Sequence, residues 1–418
     1  MLFIGIGIIG LVISGIKRVF LHPLSHIPGS KISALTLWYE FYFDIVKKGS
    51  FIWKIQEMHK EYGPIVRINP KKLYVANKKL DKYEWRGKCT GTLGSIFVTP
   101  GHDHHRLRRA PLNAFLSARS VTQLEGQIMS KVQKLSDRFS GLVETNDVFR
   151  FDAAFMALTM DIIATYAFGK DSDYLDEADF EVIWRETLTG AATARENVES
   201  ILAQEGEKKT ARTIFHTLRD SNLPQEEKMV DRLCDEMSIL PHVLDKLRDE
   251  LDEAIPDTDK IPSWTSLQQL PYLNATVKEA LRVSYGVSSR LPWIAHHDIT
   301  YKQYVIPAGT PISCTTLFVL TDSSIFPEPE TFRPERWIEA GKSLDKYLVA
   351  FNKGSRQCLG INLAYSELYL KIATLVRRFD WEMYETIRDD IVCKHNFMAT
   401  VADLNSKGVR ARITTKRD

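Results

Sequence analysis

The stretch from Phe351 to Gly360 reads FNKGSRQCLG, and the cysteine within it limits what this chain of 418 residues can be. The chain has five cysteines, which are Cys89, Cys234, Cys314, Cys358 and Cys393. Their odd number, their wide separation and the lack of a CxxC pair disfavour a disulfide framework and a structural zinc site. Two interpretations of Cys358 remain open: a small buried core residue, or a single thiolate that binds a metal.

A single thiolate suits one kind of metal centre in particular. Zinc and iron–sulfur sites need several cysteines close together, whereas a porphyrin supplies four nitrogens and leaves one position to the protein. Gly354 and Gly360 would let the backbone approach a flat macrocycle and adopt positive φ. Backbone N–H groups after the cysteine could then donate to its sulfur. In this interpretation Arg356 pairs with a haem propionate and Phe351 packs near the thiolate.

The pattern Phe351-x-x-Gly354-x-Arg356-x-Cys358-x-Gly360 resembles the cysteine loop of the cytochrome P450 family, the haem-thiolate monooxygenases. Every defined position of that loop is present. The resemblance implies haem b as the cofactor, with Cys358 as its axial ligand.

A second motif lies upstream, in the sequence KEALR. Glu279 and Arg282 are three residues apart and therefore share one face of a helix. The resemblance implies that this pair joins Arg336, which belongs to the later sequence FRPER. An ExxR pair alone is common on helix surfaces. The order of ExxR, PER and cysteine loop within the 79 residues that separate Glu279 from Cys358 makes a chance match a poor explanation.

A third motif is GHDHHRLRRAPLNAFLS at residues 101–117. Its three histidines and one aspartate could suggest a metal site, but neighbouring residues of a helix point in different directions. The resemblance instead implies that His105 and Arg109 contact the haem propionates. The run of arginines makes the chain most similar to filamentous-fungal members, and the resemblance extends over nearly the whole chain.

Hydrophobic periodicity predicts a mainly α fold with minor β structure. The resemblance makes this a cytochrome P450 fold, incomplete and formed by a single haem domain at residues 21–418. Predicted helices cover residues 37–62, 118–145, 149–168, 226–254 and 271–284. A short hairpin is predicted at 64–77, and strands with a turn at 306–310 are predicted within 299–315.

Residues 1–20 are expected to form a membrane anchor. Leu2 to Ile16 carry no charge, and Lys17 and Arg18 follow directly. The run is slightly short for a span of about 20 residues, yet a cleaved signal peptide would need a basic start and a cleavage site, which are missing. Positive charges after the apolar run predict that the rest of the chain faces the cytosol. We expect a single-pass protein of the endoplasmic reticulum membrane. The GxGxxG match at 5–10 follows no strand and indicates no nucleotide site.

The chain departs from the family on the distal side of the site. The resemblance implies a long central helix with an acid–Thr segment that delivers protons during oxygen activation. This helix should lie between residues 226–240 and 242–251, which Pro241 joins directly. Thr189–Thr193 (TGAAT) is a look-alike that lies too far upstream, so no catalytic residue can be assigned. Trp293 stands where the family usually has a propionate arginine, and whether Arg290 substitutes is left open.

These features predict a haem-thiolate monooxygenase that oxidises an apolar small molecule, such as a terpenoid of fungal secondary metabolism. The resemblance implies electron supply by NADPH–cytochrome P450 reductase. A net charge of +2 gives no reason to expect nucleic-acid binding, and we expect a monomer. Two alternatives remain: a truncated, non-catalytic haem-binding remnant, which the missing helix favours, and a haem-thiolate isomerase, which needs no proton relay.

Overall fold

The computed structural model describes residues 2–74, 81–82, 96, 99–169, 171–180, 241–288, 290–396 and 400–417. The predicted helix at 226–254 is therefore described only from Pro241 onward. The look-alike segment Thr189–Thr193 and the junction on the Leu240 side lie outside the described residues.

The described part of the chain is mainly helical with minor β structure, as the sequence predicts. Its helices are α1 Leu2–Phe20, α2 Lys31–Leu35, α3 Trp38–Phe41, α4 Phe51–Tyr62, α5 His102–Phe115, α6 Ala118–Thr145, α7 Phe151–Phe168, α8 Pro241–Ala254, α9 Trp264–Leu267, α10 Pro271–Val283, α11 Thr316–Leu320, α12 Glu335–Glu339 and α13 Ile361–Arg378. Its strands are β1 Val66–Arg67, β2 Leu73–Tyr74, β3 Asp81–Lys82, β4 Phe149–Arg150, β5 Leu291–Ile294, β6 Ile299–Tyr301, β7 Tyr304–Ile306, β8 Ile312–Cys314, β9 Phe379–Met383, β10 His395–Asn396, β11 Thr400–Val401 and β12 Arg410–Lys416.

The strands form small sheets at the edges of the helical body. One sheet has the order β1-β2-β8-β5-β3, in which β2 and β8 are parallel. Another has the order β4-β12-β9, and β6-β7 and β10-β11 are two-stranded. Strands β1 and β2 pair antiparallel, which confirms the hairpin predicted near residues 64–77 as far as it is described.

The predicted turn at 306–310 exists, but it does not close a hairpin. Thr310 N–H donates to the carbonyl of Pro307 at 3.2 Å, and Gly309 has a φ of +75°. The hairpin of this region is formed by β6 and β7, and the chain reverses between these two strands at Lys302, before the predicted turn. Strand β8 pairs instead with β5 and β2 and connects them within the larger sheet.

The predicted helix at 37–62 is interrupted. Helix α3 continues into a π-helical turn at Tyr42–Val46, and the chain then reverses through Lys48 and Gly49, both with positive φ, before α4 begins. Gly49 also lies close to the backbone of Asn396, where a Cβ would be 2.8 Å from its carbonyl oxygen. The apolar periodicity continues through this break, and so the sequence pattern did not reveal it.

Helix α13 forms the centre of the core. From Ser366 to Arg378 its residues are buried, and they pack against α6, α8 and α9. Helix α6 begins at an N-cap, where the Ser117 hydroxyl accepts from the N–H of Ser120 at 3.3 Å, and it ends at Asn146 in the left-handed conformation. Because α13 directly follows the cysteine loop, the burial of α13 fixes the position of the C-terminal end of that loop.

Glu279 of α10 is a fully buried carboxylate at the junction of several elements. Its oxygens accept from the Arg282 guanidinium at 2.8 and 2.9 Å and from Arg336 Nε at 3.0 Å. The indole N–H of Trp337 and the backbone N–H of Arg333 donate at 2.9 and 2.8 Å. The carboxylate is thus compensated in both charge and hydrogen bonding, and the predicted meeting of Glu279, Arg282 and Arg336 takes place.

The two arginines extend this cluster to the backbone. Arg282 donates to the carbonyls of Leu320 and Pro329 at 3.0 and 2.7 Å, and Arg336 donates to that of Pro327 at 2.8 Å. Their remaining donors therefore hold the segment between α11 and α12, which has little regular structure of its own.

None of the helices described here combines the length and the apolar character needed to cross a membrane, and the spanning anchor predicted at residues 1–20 is not confirmed.

We predict that Glu279→Gln lowers the free energy of unfolding by about 3–5 kcal/mol, because it leaves the buried charges of Arg282 and Arg336 without a counter-ion. Chemical denaturation of the variant measures this change. Glu57→Gln is the control, since Glu57 forms an exposed pair with Lys54 at 2.7 Å, and we expect a loss below about 1 kcal/mol there. Equal losses in the two variants would show that the buried cluster is not an important source of stability.

Candidate functional site

The cysteine loop is a compact turn held by its own backbone. A short 3-10 turn covers Gly354–Arg356, and Gly354 has a φ of +79°, a positive value that glycine permits. Gln357 N–H donates to the carbonyl of Gly354 at 3.0 Å, and Cys358 N–H donates to that of Phe351 at 2.8 Å. These bonds are made by the protein alone, and they fix the backbone from which the cysteine side chain extends.

The sulfur of Cys358 is half-buried and accepts a hydrogen bond from the backbone N–H of Gly360 at 3.1 Å. Such a donor stabilises a thiolate and lowers its electron donation to a metal. Gly360 itself has a φ of −82°, so this residue does not use the positive φ that a glycine permits. It serves as the N-cap of α13, and its carbonyl accepts from Ala364 N–H at 2.9 Å.

Two arginines connect the cysteine loop to the region around α5. The guanidinium of Arg109 donates to the carbonyl oxygens of Gln357 at 2.6 Å and Cys358 at 3.5 Å. In the reverse sense, the guanidinium of Arg356, which belongs to the loop, donates to the carbonyls of Thr99 and Pro100 before α5, both at 2.9 Å. Each of the two segments thus holds the other, and the role of the two arginines toward haem propionates stays a prediction.

His105 lies on the same face of α5 as Arg109, one helical turn earlier. Only 4% of its surface is exposed, whereas the neighbouring His104 is exposed. The sequence singled out His105 from three histidines through the family pattern, and its burial distinguishes it from the others. Its role toward a propionate stays a prediction.

Aromatic rings line the inner side of the loop. Phe351 is buried, and its ring centroid lies 5.4 Å from that of Tyr365, which in turn stacks on Tyr369 at 6.0 Å. Burial raises the pKa of Tyr365 to about 12, because the phenolate would be poorly solvated there. Tyr365 is therefore neutral at physiological pH and adds no negative charge beside the cysteine loop.

Gly286 is a residue of the site that sequence reasoning missed. It follows α10 with a φ of +58°, and a Cβ at this position would overlap the carbonyl oxygen of Ala350, next to Phe351. The Thr316 hydroxyl secures the same turn by donating to the carbonyl of Tyr285 at 2.6 Å. The Tyr-Gly pair after the helix was an available signal for a tight turn, but the contact with residue 350 has no local pattern.

Arg290 does not take the place of the arginine missing at Trp293. Its guanidinium forms ion pairs with Glu40 at 3.0 Å and with Asp44, and it lies 4.7 Å from the centre of the Phe51 ring. Its donors thus serve the N-terminal helices. Trp293 is half-buried on β5 and pairs in register with Ile312 of β8.

A cavity of about 230 Å³ lies between α6, α7 and the start of α13. Apolar side chains such as Ile128, Ile162 and Leu363 line it, together with Thr165. The hydroxyl of Thr165 is buried and has no hydrogen-bond partner in the described part of the chain. An unpaired buried hydroxyl beside open apolar space indicates incomplete packing at this position.

Comparisons with known proteins point to one family. The family model described as Cytochrome P450 matches residues 233–404, which include the Glu279 cluster and the cysteine loop. The cytochrome P450 monooxygenase sdnE of Sordaria araneosa is 36% identical, over 97% of this chain and 96% of the relative. Tryptophan 6-hydroxylase fscE of Fusarium equiseti is 34% identical, over 96% and 94%. Conidiogenone synthase PchP450 of Penicillium rubens is 36% identical, over 96% of each.

The lengths of these alignments reveal a deficit in this chain. The alignment with sdnE extends over 498 positions, whereas 97% of 418 residues is only about 405 residues. About 90 positions of that relative therefore face no residue here. The alignment with PchP450 extends over 479 positions against about 401 residues, a deficit of about 80.

We predict that Gly286→Ala destabilises the protein more than Gly341→Ala and also loosens the cysteine loop. The two glycines have nearly the same φ, +58° and +56°, but Gly341 has open space around its Cβ position. Both variants carry about 1–2 kcal/mol of backbone strain, and the overlap with Ala350 adds about 1–3 kcal/mol in Gly286→Ala alone.

Thermal unfolding and the amount of haem retained after gel filtration measure this difference. Gly341→Ala should retain haem like the unsubstituted protein, whereas Gly286→Ala should retain less. Indistinguishable behaviour of the two variants would mean that the approach of Gly286 to Ala350 does not position the loop.

Proposed function

Because the chain belongs to the cytochrome P450 family, whose members bind haem b through an axial cysteine thiolate, we propose that Cys358 is that ligand. The observation that carries the proposal is the hydrogen bond from Gly360 N–H to Cys358 Sγ, made in a loop fixed at both ends. A half-buried sulfur with a backbone donor is suited to the thiolate form.

The chemistry of the surrounding residues fits the same cofactor. Bound haem would supply the activation of dioxygen, which the electron donation of the thiolate assists. Arg109, Arg356 and His105 lie together at α5 and the cysteine loop, and we propose that they form the propionate-binding side. Guanidinium groups pair well with carboxylates, and their present bonds to carbonyls keep them in place beside the loop.

We propose that the enzyme, a monooxygenase of the kind found in fungal secondary metabolism, oxidises an apolar small molecule such as a terpenoid. The printed names of the relatives give different activities, among them a tryptophan 6-hydroxylase and a conidiogenone synthase. The identity of 34% and 36% with these two relatives supports a monooxygenase reaction. The substrate class of this chain is our proposal.

The partner and the location follow from the same class. The family generally takes its electrons from a reductase, and we propose NADPH–cytochrome P450 reductase in this role, with a monomeric haem domain at residues 21–418. We further propose that the protein resides at the endoplasmic reticulum membrane with this domain on the cytosolic side. The uncharged run before Lys17 and Arg18 supports this location.

A second candidate function is a haem-binding protein that does not oxidise a substrate. Two observations favour it. About 80 to 90 aligned positions of the related proteins face no residue in this chain. The cavity also lies beside the Thr165 hydroxyl, which has no hydrogen-bond partner in the described part of the chain. Sequencing the transcript across the codons for Leu240 and Pro241 separates the two candidates. An in-frame coding segment between these codons would restore the enzyme, and a transcript that matches this chain would favour the second candidate.

We predict that Cys358→Ser abolishes the absorption band of reduced, CO-bound, thiolate-ligated haem while the far-ultraviolet circular dichroism is preserved. The serine hydroxyl is a hard and poor ligand for haem iron. Cys314→Ser is the control, because Cys314 is a half-buried cysteine on β8, outside the cysteine loop, and this variant should keep the band. A thiolate band that survives in Cys358→Ser would assign the axial ligand to another cysteine.

A further inference from the structure

The cavity between α6, α7 and the start of α13 has an apolar inner wall and an opening to solvent. Its wall includes the buried side chains of Ile128, Ile162 and Leu363. Gly126 and Ser130 of α6 also line it, and both are exposed, so the mouth of the cavity lies along this helix. Protein interiors contain few spaces larger than a water molecule, and a volume of about 230 Å³ is large enough to admit a small ligand.

Contacts with the end of α5 hold the walls of the cavity in place. The Tyr166 hydroxyl donates to the carbonyl of Phe115 at 2.6 Å, and the two rings stack with centroids 4.3 Å apart. Asn362 Nδ2 donates to the carbonyl of Leu116 at 3.0 Å, directly before Leu363 of the wall. Helix α7 and the start of α13 are thus attached to the same turn. The cavity is therefore preformed, and a ligand would lose little affinity to rearrangement of the protein.

The described lining of the cavity favours a neutral ligand. Lys131, its charged residue, forms an ion pair with Asp171. Burial raises the pKa of Tyr166 to about 12, because a phenolate would be poorly solvated there. The Tyr166 ring is therefore uncharged at physiological pH, and an ionic ligand would find no opposite charge left to pair with among these residues.

The hydroxyl of Thr165 is the polar group that this lining leaves to a ligand. Its oxygen is buried and has no hydrogen-bond partner in the described part of the chain. An enclosed water molecule typically needs about two to four polar partners. Tyr166 and Lys131 already have partners, and Gln127 and Ser130 are exposed at the mouth. An apolar molecule with a polar group of its own would satisfy Thr165 better than water, and its rings would fill the remaining space.

The volume of the cavity indicates the size of such a molecule. An apolar cavity of about 150 Å³ in another protein binds benzene, a single ring. The present cavity of about 230 Å³ is roughly half as large again. This space suits two fused rings.

We propose that the cavity binds a neutral bicyclic molecule with one hydroxyl or carbonyl group, whose rings lie against Ile128, Ile162 and Leu363 and whose polar group bonds to Thr165. The inference goes beyond the oxidation proposed above and does not depend on it. The site shares α13 with the cysteine loop, because Leu363 follows Cys358 by five residues.

The role of the Thr165 hydroxyl is tested with two probes of nearly equal shape, β-naphthol and β-methylnaphthalene. Equilibrium dialysis of each probe against the full-length, haem-loaded protein gives the two dissociation constants. Thr165→Val keeps the shape of the wall and removes the hydroxyl. We expect it to weaken β-naphthol binding by about fivefold or more relative to β-methylnaphthalene, because only the first probe loses a hydrogen bond. An unchanged ratio, or a protein that binds no β-naphthol, would overturn the proposal.

Two glycines of α6 test where the probe binds. A Cβ on either Gly126 or Gly141 would have nothing within 4 Å, and both residues are exposed, but Gly141 does not line the cavity. Leucine is a good helix former at both positions. Gly126→Leu should weaken the binding of both probes by about tenfold or more, because the new side chain occupies the mouth. Gly141→Leu should bind like the unsubstituted protein. Equal affinities in the two variants contradict the proposal, since the probe would then bind elsewhere.

Thermal unfolding provides an independent measurement of the same site. Saturating β-naphthol should raise the midpoint of the unsubstituted protein and of Gly141→Leu, because a ligand stabilises the native state that it binds. The midpoint of Gly126→Leu should not change, and an equal rise in all three proteins would count against the cavity. The reduced, CO-bound spectrum of the same samples reports separately on Cys358. Binding at this site without the thiolate band would support the inference and contradict the haem assignment.

Discussion

The buried charge of Glu279 is the constraint on which the functional half of this molecule depends. A carboxylate with no exposure to water is tolerated only because Arg282, Arg336 and Trp337 satisfy it, and the same arginines bind the carbonyls of the irregular segment before α12. Helix α10 is thereby fixed to the chain that leads into the cysteine loop. Gly286, at the end of that helix, meets Ala350 at the start of the loop, so one cluster positions the loop through two routes.

The parts of the site that the sequence predicted are those with a local or a chemical signature. The loop around Cys358 is contiguous, and the spacing of Glu279 and Arg282 places them on one helix face. Arg336 was named as their partner through the family resemblance. The conformation of Gly360 was not predictable in this way, because its N–H reaches the sulfur with an ordinary φ. The role of Gly286 was not predictable either, since its partner lies far away in the sequence and imposes a steric condition only.

The same limit explains the errors in secondary structure. Apolar periodicity predicted one helix over 37–62, but periodicity reports which side chains avoid water and not whether the helix is continuous. Here Arg290 draws Glu40 and Asp44 to the inner side while the rings and aliphatic chains remain outside. The π-helical turn and the reversal at Lys48 accommodate both demands. Strand β8 shows the same dependence on distant partners, because it joins β2 and β5 instead of the adjacent β7.

Several hydrogen bonds connect the cysteine loop to α5, to the segment before it and to the start of α13. Cys358 takes its donor from Gly360, and Arg109 and Arg356 bind carbonyls of the loop and of the segment before α5. None of these bonds involves a described residue near Pro241, the junction at which the sequence predicts that the central helix is missing. Haem ligation and substrate oxidation can therefore be lost separately. A thiolate spectrum would report on the proximal loop alone, and only product formation would report on the distal side.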